Sequence, residues 1–206
     1  YLLLSQFGLI MNGNDATAHN LTQHTPKSVI KVAVLGAEST GKTTLCRDLA
    51  TNFGCLWVPE YMRTYLQAKW HDEQLTCTWD DLLPIAQGQI ELENKLAKQA
   101  TQTPDNSHYL FCDTSLFELM VYANLYYGDC PEALTKAALS HHYNMILLTD
   151  VDIPWVADDL RDSPHEREAI SAFFETMLNR YQIPFKKVGG NRLERVRYVE
   201  QIFNYM

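Results

Sequence analysis

The sequence has little positive charge. Of its 206 residues, 17 are lysine or arginine and 25 are aspartate or glutamate, which gives a formal net charge of -8 at pH 7. A protein that binds nucleic acid usually presents a basic face, which displaces counterions from the phosphates. The composition therefore argues against a nucleic-acid partner. It does not exclude a small anionic ligand, because a loop of backbone N–H groups can hold a phosphate on an acidic protein.

Cysteine is also scarce, and long apolar runs are absent. The cysteines number 5, and no two of them form a Cys-x-x-Cys pair. We therefore expect neither a disulfide framework nor a zinc site, and we expect a reducing, cytoplasmic location. No apolar run reaches the roughly 18 residues that a membrane-spanning helix needs, so no membrane partner is expected.

The N-terminal region shows no folding pattern. Its opening, YLLLSQFGLI, is apolar but lacks the basic flank of a signal peptide. Met11 is a candidate start, in which case residues 1–10 come from an expression vector or an upstream region. Residues 11–27 are polar and rich in turn formers. We predict a flexible arm over residues 1–27 and one domain over residues 28–206, a length that suits a single core.

Short apolar strands alternate with amphipathic helices along the rest of the chain. The segments VIKVAVL, CLWV, YLFC, NMILLT and FKKV are predicted strands. Between them, apolar residues recur at helical spacing; a long helix is predicted to begin at Asp80 and the last to carry Leu193, Val196, Val199 and Phe203. This alternation predicts an α/β fold with helices on both faces of a parallel sheet. Ligands of such sheets bind beyond the carboxyl ends of the strands.

The segment VLGAESTGKTTL contains the pattern G-x-x-x-x-G-K-T between a predicted strand and a predicted helix. The glycines let successive N–H groups point at one anion, and a helix N-terminus favours phosphate. The lysine of this pattern reaches the β- and γ-phosphates, and the hydroxyl that follows it can ligate Mg²⁺. We predict that ATP and Mg²⁺ bind here, through Gly36, Glu38, Ser39, Thr40, Gly41, Lys42, Thr43 and Thr44.

Two acidic residues end predicted strands. Asp113 follows the third strand, where a phosphate-loop protein holds Mg²⁺, but it could instead cap the next helix. Glu60 follows the second strand and could act as general base or bind a sugar hydroxyl. Arg63 lies one helical turn later and could pair with Glu60 or with a phosphate; a plain i,i+3 ion pair is the alternative. Which of the two carboxylates takes the proton is left open.

The charged stretch over about residues 152–165 is predicted to be a lid. Its Arg161 could close over the transferred phosphoryl group, although a solvated loop is the alternative. Trp155 could stack on a cationic pyridinium ring or pack in the core. Arg192, after two glycines, is predicted to contact adenine.

Four segments in this order, GAESTGKTTL, PEYMR, the DT of the third strand and DDLRDS, resemble the nicotinamide riboside kinase domain of NadR-type proteins. The likeness runs from about Val29 to Phe203. It implies a P-loop nucleoside or nucleotide kinase fold with five parallel strands in the order 2-3-1-4-5. It also implies transfer of the γ-phosphoryl of ATP to the 5′-hydroxyl of nicotinamide riboside, giving nicotinamide mononucleotide for NAD salvage. In such a protein Thr43 and Asp113 would manage Mg²⁺, Glu60, Tyr61 and Arg63 would face the nucleoside, and Arg161 would belong to the lid.

Other functions remain open at this stage. NadR proteins often carry an adenylyltransferase domain and some a helix-turn-helix domain, and neither fits in the 28 residues before the first strand, so those activities are not expected here. A kinase for another nucleoside or nucleotide is the first alternative, although the single arginine of VPEYMRTY favours an acceptor without phosphate. A regulatory ATP-binding switch is the second. A homo-oligomer is compatible with the sequence.

Overall fold

The computed structural model describes residues 19–102, 108–155 and 166–204, in which five strands form one sheet. All of the strand pairs are parallel, and the order is β2-β3-β1-β4-β5. The predicted fold class and strand order are therefore confirmed. The strands are β1 (Ile30–Leu35), β2 (Leu56–Val58), β3 (Tyr109–Asp113), β4 (Met145–Thr149) and β5 (Lys186–Val188).

Helices cover both faces of the sheet, because the strands alternate their side chains between two apolar clusters. Val32 and Val34 of β1 face one cluster with the first and last helices, whereas Ala33 and Leu35 face the other. None of the helices in the described ranges is long and apolar enough to cross a membrane. The helices are α1 (Lys42–Phe53), α2 (Tyr61–Glu73), α3 (Leu82–Ala100), α4 (Leu116–Tyr127), α5 (Glu132–Ser140), α6 (Arg167–Arg180) and α7 (Arg192–Asn204).

The start of α3 differs from the prediction at Asp80. A short 3-10 turn precedes the helix, and Thr78 caps it in a capping box with Asp81. The Thr78 N–H donates to Asp81 Oδ2 at 2.7 Å, and Lys69 Nζ donates to the same oxygen at 2.5 Å. Asp81 is buried and is therefore the residue that ties α2 to the start of α3, whereas Asp80 is exposed.

Residues 19–27 lie against the domain, which differs from the flexible arm predicted there. Leu21 is buried among the residues of the larger apolar cluster, and the His141 ring nitrogen Nε2 lies 2.7 Å from the Leu21 carbonyl oxygen. Gln23 Nε2 donates to Glu93 Oε1 at 3.0 Å. The packed unit therefore includes residues 19–27, and the boundary predicted at residue 28 is too late.

Candidate active site

The loop between β1 and α1 is packed into a fixed shape. Gly36 and Gly41 have φ angles of 146° and 84°, which few residues other than glycine adopt. A Cβ atom on Gly36 would lie 2.4 Å from Thr149 Oγ1, so the loop also needs glycine for its close approach to β4. Thr40 Oγ1 donates to the Ala37 carbonyl oxygen at 2.7 Å and shares a hydrogen bond with Thr149 Oγ1. The cradle is thus built before any ligand arrives.

The N-terminus of α1 opens towards this loop. Gly41 is its N-cap residue and supplies no side-chain cap, and the first turn contains no acidic residue. The first N–H groups of a helix lack partners within the helix, and the helix dipole adds positive potential there. The loop and the helix end are therefore suited to bind an anion such as a phosphate chain.

Two arginines that the motifs did not identify hold the outer side of the loop. Arg195 of α7 is buried; it donates from Nη1 to the Thr40 carbonyl oxygen and from Nε to the Gly190 carbonyl oxygen at 2.9 Å, and it also pairs with Asp152. Arg167 Nη1 donates to the Ser39 carbonyl oxygen at 3.2 Å. Both side chains stabilise the shape of the phosphate loop from outside.

Arg192, which was predicted to contact adenine, pairs with a residue of α1 in this structure. Its Nε and Nη2 donate to the two carboxylate oxygens of Asp48, each at 2.5 Å, and its side chain is 73% exposed. An exposed ion pair of this kind stabilises a fold only weakly. Its contact with adenine therefore stays a prediction.

The side chain of Lys42 lies along the loop and meets a buried acid. Its Nζ donates to the carbonyl oxygens of Gly36 at 2.7 Å and Ala37 at 3.1 Å, and it lies 3.2 Å from Glu118 Oε1. The Gly36 N–H donates to Glu118 Oε2 at 3.1 Å. Glu118 belongs to the first turn of α4, and its side chain is 4% exposed.

Sequence reasoning missed Glu118 because it stands in the run LFELMVYA, which is typical of a buried apolar helix. All eight residues of that run are in fact buried. The available signal was the single carboxylate within it, because a glutamate is almost never fully buried unless it is paired.

Burial shifts the ionisation of the acids around Lys42. It raises the pKa of Glu118 to about 7, although the Lys42 ammonium acts in the opposite direction. It likewise raises the pKa of Asp113 to about 6, against a hydrogen bond with Thr43 and the charge of Lys42. For Lys42 itself burial alone would lower the pKa, but Glu118, Glu60 and Asp113 outweigh it and the pKa is raised. Lys42 therefore keeps its charge.

Asp113 ends β3 with one carboxylate oxygen unused. Its side chain is hydrogen bonded with Thr43, whereas Oδ1 is buried and has no hydrogen-bond partner among the described residues. The following helix is capped by Ser115, whose hydroxyl accepts from the Phe117 N–H at 3.2 Å, so Asp113 is not the cap. A buried carboxylate oxygen beside a hydroxyl is a suitable ligand set for Mg²⁺ that also binds phosphates.

That set is small. In the described part of the chain, no group of three or more His, Cys, Asp or Glu residues could hold a metal ion by itself. Mg²⁺ dehydrates reluctantly and is usually held by one or two protein oxygens together with substrate phosphates and waters. The site therefore fits an ion that arrives with a nucleotide.

A cavity opens beside Glu118, between the start of α2 and the helices α3 and α4. Glu60 and Glu118 are in its lining, and its open surface is almost entirely apolar, from leucine, isoleucine and methionine side chains. Apolar walls with few polar groups are common in small-molecule sites, but the free space in this cavity is small. The cavity is lined by Glu60, Met62, Ile85, Gln89, Thr114, Ser115, Leu116, Glu118, Leu119 and Tyr122.

Among the residues that the structure describes, two hydrogen-bond donors of this cavity are buried without partners. They are the amide nitrogen Nε2 of Gln89 and the hydroxyl of Tyr122. Gln89 Oε1 accepts from the Tyr61 N–H at 2.8 Å, which fixes the orientation of the amide. A buried unpaired donor costs about 1–3 kcal/mol, so a water or a ligand with hydrogen-bond acceptors would stabilise both.

Of the residues predicted to face an acceptor, Glu60 is in the lining of this cavity. The roles of the others stay predictions. Tyr61 packs its ring on α3, where a Cβ on Gly88 would come within 2.1 Å of the ring. Arg63 is half-buried in the first turn of α2, and its charge acts to lower the pKa of Asp113. Trp155 is half-buried.

The predicted lid is covered only in part. Residues 156–165, and with them Arg161, lie outside the described residues. The role of Arg161 therefore stays a prediction.

The chain resembles known proteins over most of its length. A family model described as an AAA domain matches residues 31–195. The trifunctional NAD biosynthesis/regulator protein NadR of Salmonella typhimurium is 28% identical over 169 residues, which cover 81% of this chain and 40% of that protein. The chain thus spans about two fifths of the curated relative that it matches. The predicted resemblance to NadR-type proteins is confirmed.

Two solved structures share the fold. A crystal structure of a NadR protein in complex with NR has a TM-score of 0.65 at 22% identity and covers 86% of this chain and 51% of its own. A crystal structure of a NadR protein in complex with NAD and AMP-PNP has the same TM-score and identity. The match covers 86% of this chain and 49% of that one.

Proposed function

The chain belongs to the AAA domain family, and we propose that within it the protein is a kinase that transfers the γ-phosphoryl group of ATP to the 5′-hydroxyl of nicotinamide riboside. The products are ADP and nicotinamide mononucleotide. One observation carries this proposal: the phosphate loop and a separate cavity adjoin each other at Glu118, which contacts Lys42 and lines the cavity. A donor and an acceptor of a phosphoryl group need two such adjoining sites.

We assign the nucleotide to the phosphate loop and α1. Residues 36–44 would surround the phosphates with N–H groups, and Lys42 would reach the β- and γ-phosphates. Thr43 and Asp113 fit Mg²⁺, and they would hold it; the ion would neutralise charge on the phosphates. Arg195 would keep the loop in shape through its bond to the Thr40 carbonyl oxygen.

We assign the acceptor to the cavity beside Glu118. Its acids, together with the nearby Asp113, would repel an acceptor that already carries a phosphate. The same acids would attract the cationic pyridinium ring of nicotinamide riboside, and Trp155 would stack on that ring. Gln89 and Tyr122 would donate to the oxygens of the carboxamide or the sugar. The cavity thereby favours a cationic nucleoside over a neutral nucleoside or a nucleotide.

The reaction needs alignment and charge neutralisation more than covalent chemistry. The 5′-oxygen forms a bond to the γ-phosphorus while the bond from that phosphorus to the β,γ-bridging oxygen breaks, and ADP leaves. The hydroxyl proton passes to a carboxylate, which we assign to Glu60 because this residue lines the cavity and Asp113 is assigned to Mg²⁺. Arg161 would stabilise the transferred group from the lid.

The test is ADP release with ATP and Mg²⁺, measured alone and with each of four acceptors. These are nicotinamide riboside, thymidine, deoxycytidine and AMP, and mass spectrometry identifies the product. The proposal expects large stimulation by nicotinamide riboside alone and formation of nicotinamide mononucleotide. Stimulation by another acceptor would support kinase activity but show that nicotinamide riboside is not the substrate. Slow hydrolysis that no acceptor changes would indicate a nucleotide switch.

Replacing Tyr122 with phenylalanine tests the acceptor cavity. The hydroxyl has no hydrogen-bond partner within the described residues, so its loss should not lower the melting temperature. It should raise the KM for nicotinamide riboside by about 3- to 10-fold, the effect of one lost hydrogen bond, and leave the KM for ATP unchanged. Steady-state kinetics with each substrate varied in turn measures both constants.

Tyr126→Phe is the matched control for this substitution. Tyr126 lies one helical turn after Tyr122 and stacks on its ring with the centroids 5.8 Å apart, but it is 42% exposed. This variant should keep the KM for nicotinamide riboside. Equal effects of the two substitutions would exclude a specific contact between Tyr122 and the acceptor.

A further inference from the structure

Glu118 occupies donors that the phosphate loop offers to an anion. One of its oxygens accepts the Gly36 N–H at 3.1 Å, and the other lies 3.2 Å from Lys42 Nζ. A phosphate in such a cradle takes the same two kinds of donor, a loop N–H and the loop lysine. The Glu118 carboxylate therefore uses donors that a phosphate would also need.

The balance of charge around Glu118 depends on Lys42. The N-terminus of α4 favours a negative charge in its first turn, but Glu60 and Asp113 disfavour it. Lys42 is the cation that contacts the carboxylate directly. A phosphate chain that takes Lys42 removes this partner, and a buried carboxylate without its cation is unstable in place.

The acceptor cavity is where the displaced carboxylate can turn. Glu118 lines it, and the neighbouring walls from α4 are the apolar side chains of Leu116 and Leu119. The side chain thus borders both substrate sites, and a cationic acceptor in the cavity would replace Lys42 as the partner of its charge.

We propose that Glu118 is a positioning residue that competes with the phosphates of ATP for Lys42 and Gly36 and turns towards the acceptor cavity when ATP displaces it. The inference rests on the proposed function in taking ATP as the ligand of the loop. Its consequence is coupling: negative charge enters the acceptor cavity when ATP is bound, so a cationic acceptor binds more tightly to the ATP complex. By linkage, the acceptor strengthens ATP binding by the same factor.

The test compares the binding of AMP-PNP, which cannot transfer its phosphoryl group, by the wild-type chain and Glu118→Gln. Calorimetry with Mg²⁺ should give a Kd about 10-fold lower for the variant, because a charged competitor for Lys42 has been removed. The Kd of nicotinamide riboside should fall about 10-fold when AMP-PNP is present in the wild type, the size of an ordinary coupling, and this fall should be lost in the variant. A residue that only supports the fold would weaken both ligands and would not change their coupling.

Glu132→Gln is the control, because Glu132 is also an acid in the first turn of its helix but is exposed. It should change neither Kd. If folded Glu118→Gln binds AMP-PNP with an unchanged or higher Kd, Glu118 does not compete with the phosphates. If AMP-PNP does not change the Kd of nicotinamide riboside in the wild type, Glu118 does not turn towards the cavity. If the glutamine variant does not fold, Glu118→Asp is too short to hold both donors and should also bind AMP-PNP more tightly; an unchanged Kd again overturns the proposal.

The same data separate this inference from the proposed function. A wild type that binds AMP-PNP but shows no turnover with nicotinamide riboside would overturn the kinase, while the competition at the loop would still be decided by the variant. A wild type that does not bind AMP-PNP would overturn both.

Discussion

Replacing Lys42 with alanine is expected to lower kcat/KM for nucleoside-dependent ADP formation by about 10³-fold. The ammonium lies at the centre of the cradle, 2.7 Å from the Gly36 carbonyl oxygen, and three neighbouring carboxylates raise its pKa. In the proposed reaction it would be a fixed positive charge where charge moves from the γ-phosphate to the leaving ADP. Alanine removes that charge, and steady-state kinetics with ATP, Mg²⁺ and nicotinamide riboside measures the loss.

The fold should survive this change. Without Lys42, Glu118 loses its cation, but its side chain borders the acceptor cavity and can turn towards it, as proposed for the ATP complex. A cooperative thermal transition by circular dichroism would show that the activity was not lost through unfolding. Lys98→Ala, at an exposed position in the last turn of α3, should keep full activity. A Lys42→Ala protein with a normal rate would remove this residue from the mechanism.

The five strands and the strand–loop–helix around residues 36–41 were predicted from local pattern, and the strand order from the resemblance to NadR-type proteins; both agree with the structure. Short β-branched runs followed by Gly36, Glu60 and Asp113 place these residues at one edge of a parallel sheet, whatever the details of packing. The prediction that the long helix begins at Asp80 was wrong, because Thr78 caps the 3-10 turn that precedes the helix. Thr78 and Asp81 have the spacing of a capping box, which is a signal in the sequence itself.

Contacts between distant segments were harder to predict. Glu118 meets Gly36 across 82 positions, and Arg195 meets Thr40 across 155. The position of Glu118 depends on how α4 crosses the end of β1, which no periodicity encodes. Tertiary packing, rather than local propensity, selected this residue.

Arg195 had a local signal that was misread. The predicted apolar stripe of α7 ran from Leu193 through Val196, but Leu193 is 57% exposed. The buried stripe is Arg195, Val199 and Phe203, spaced by four. One helical turn before Val199 on the buried side of α7 lies Arg195. An arginine at such a buried position needs hydrogen-bond or ion-pair partners, which predicts a structural role. Arg192 is the first residue of α7, where its exposed side chain pairs with Asp48 of α1.

Replacing Asp113 with asparagine is the second change expected to have a large effect, about 10²-fold on kcat with a raised Mg²⁺ requirement. Asparagine keeps the size of the side chain and a hydrogen-bond partner for Thr43, but it removes the charge. Oδ1 of Asp113 is buried without a hydrogen-bond partner among the described residues. Removing the negative charge of this side chain should therefore not lower the melting temperature of the protein. Thermal melts and the Mg²⁺ dependence of kcat measure the two effects.

Binding of AMP-PNP gives this prediction a readout that does not depend on turnover. Without divalent metal, Asp113 repels the phosphates, so Asp113→Asn should bind AMP-PNP as tightly as the wild type or more tightly. With Mg²⁺ the order should reverse, because the wild type has the better ligand for the ion. Asp129→Asn, at an exposed position, should follow the wild type in both conditions. If the order does not reverse, Asp113 is a structural residue, and Mg²⁺ would be held at this loop by Thr43 and the phosphates without it.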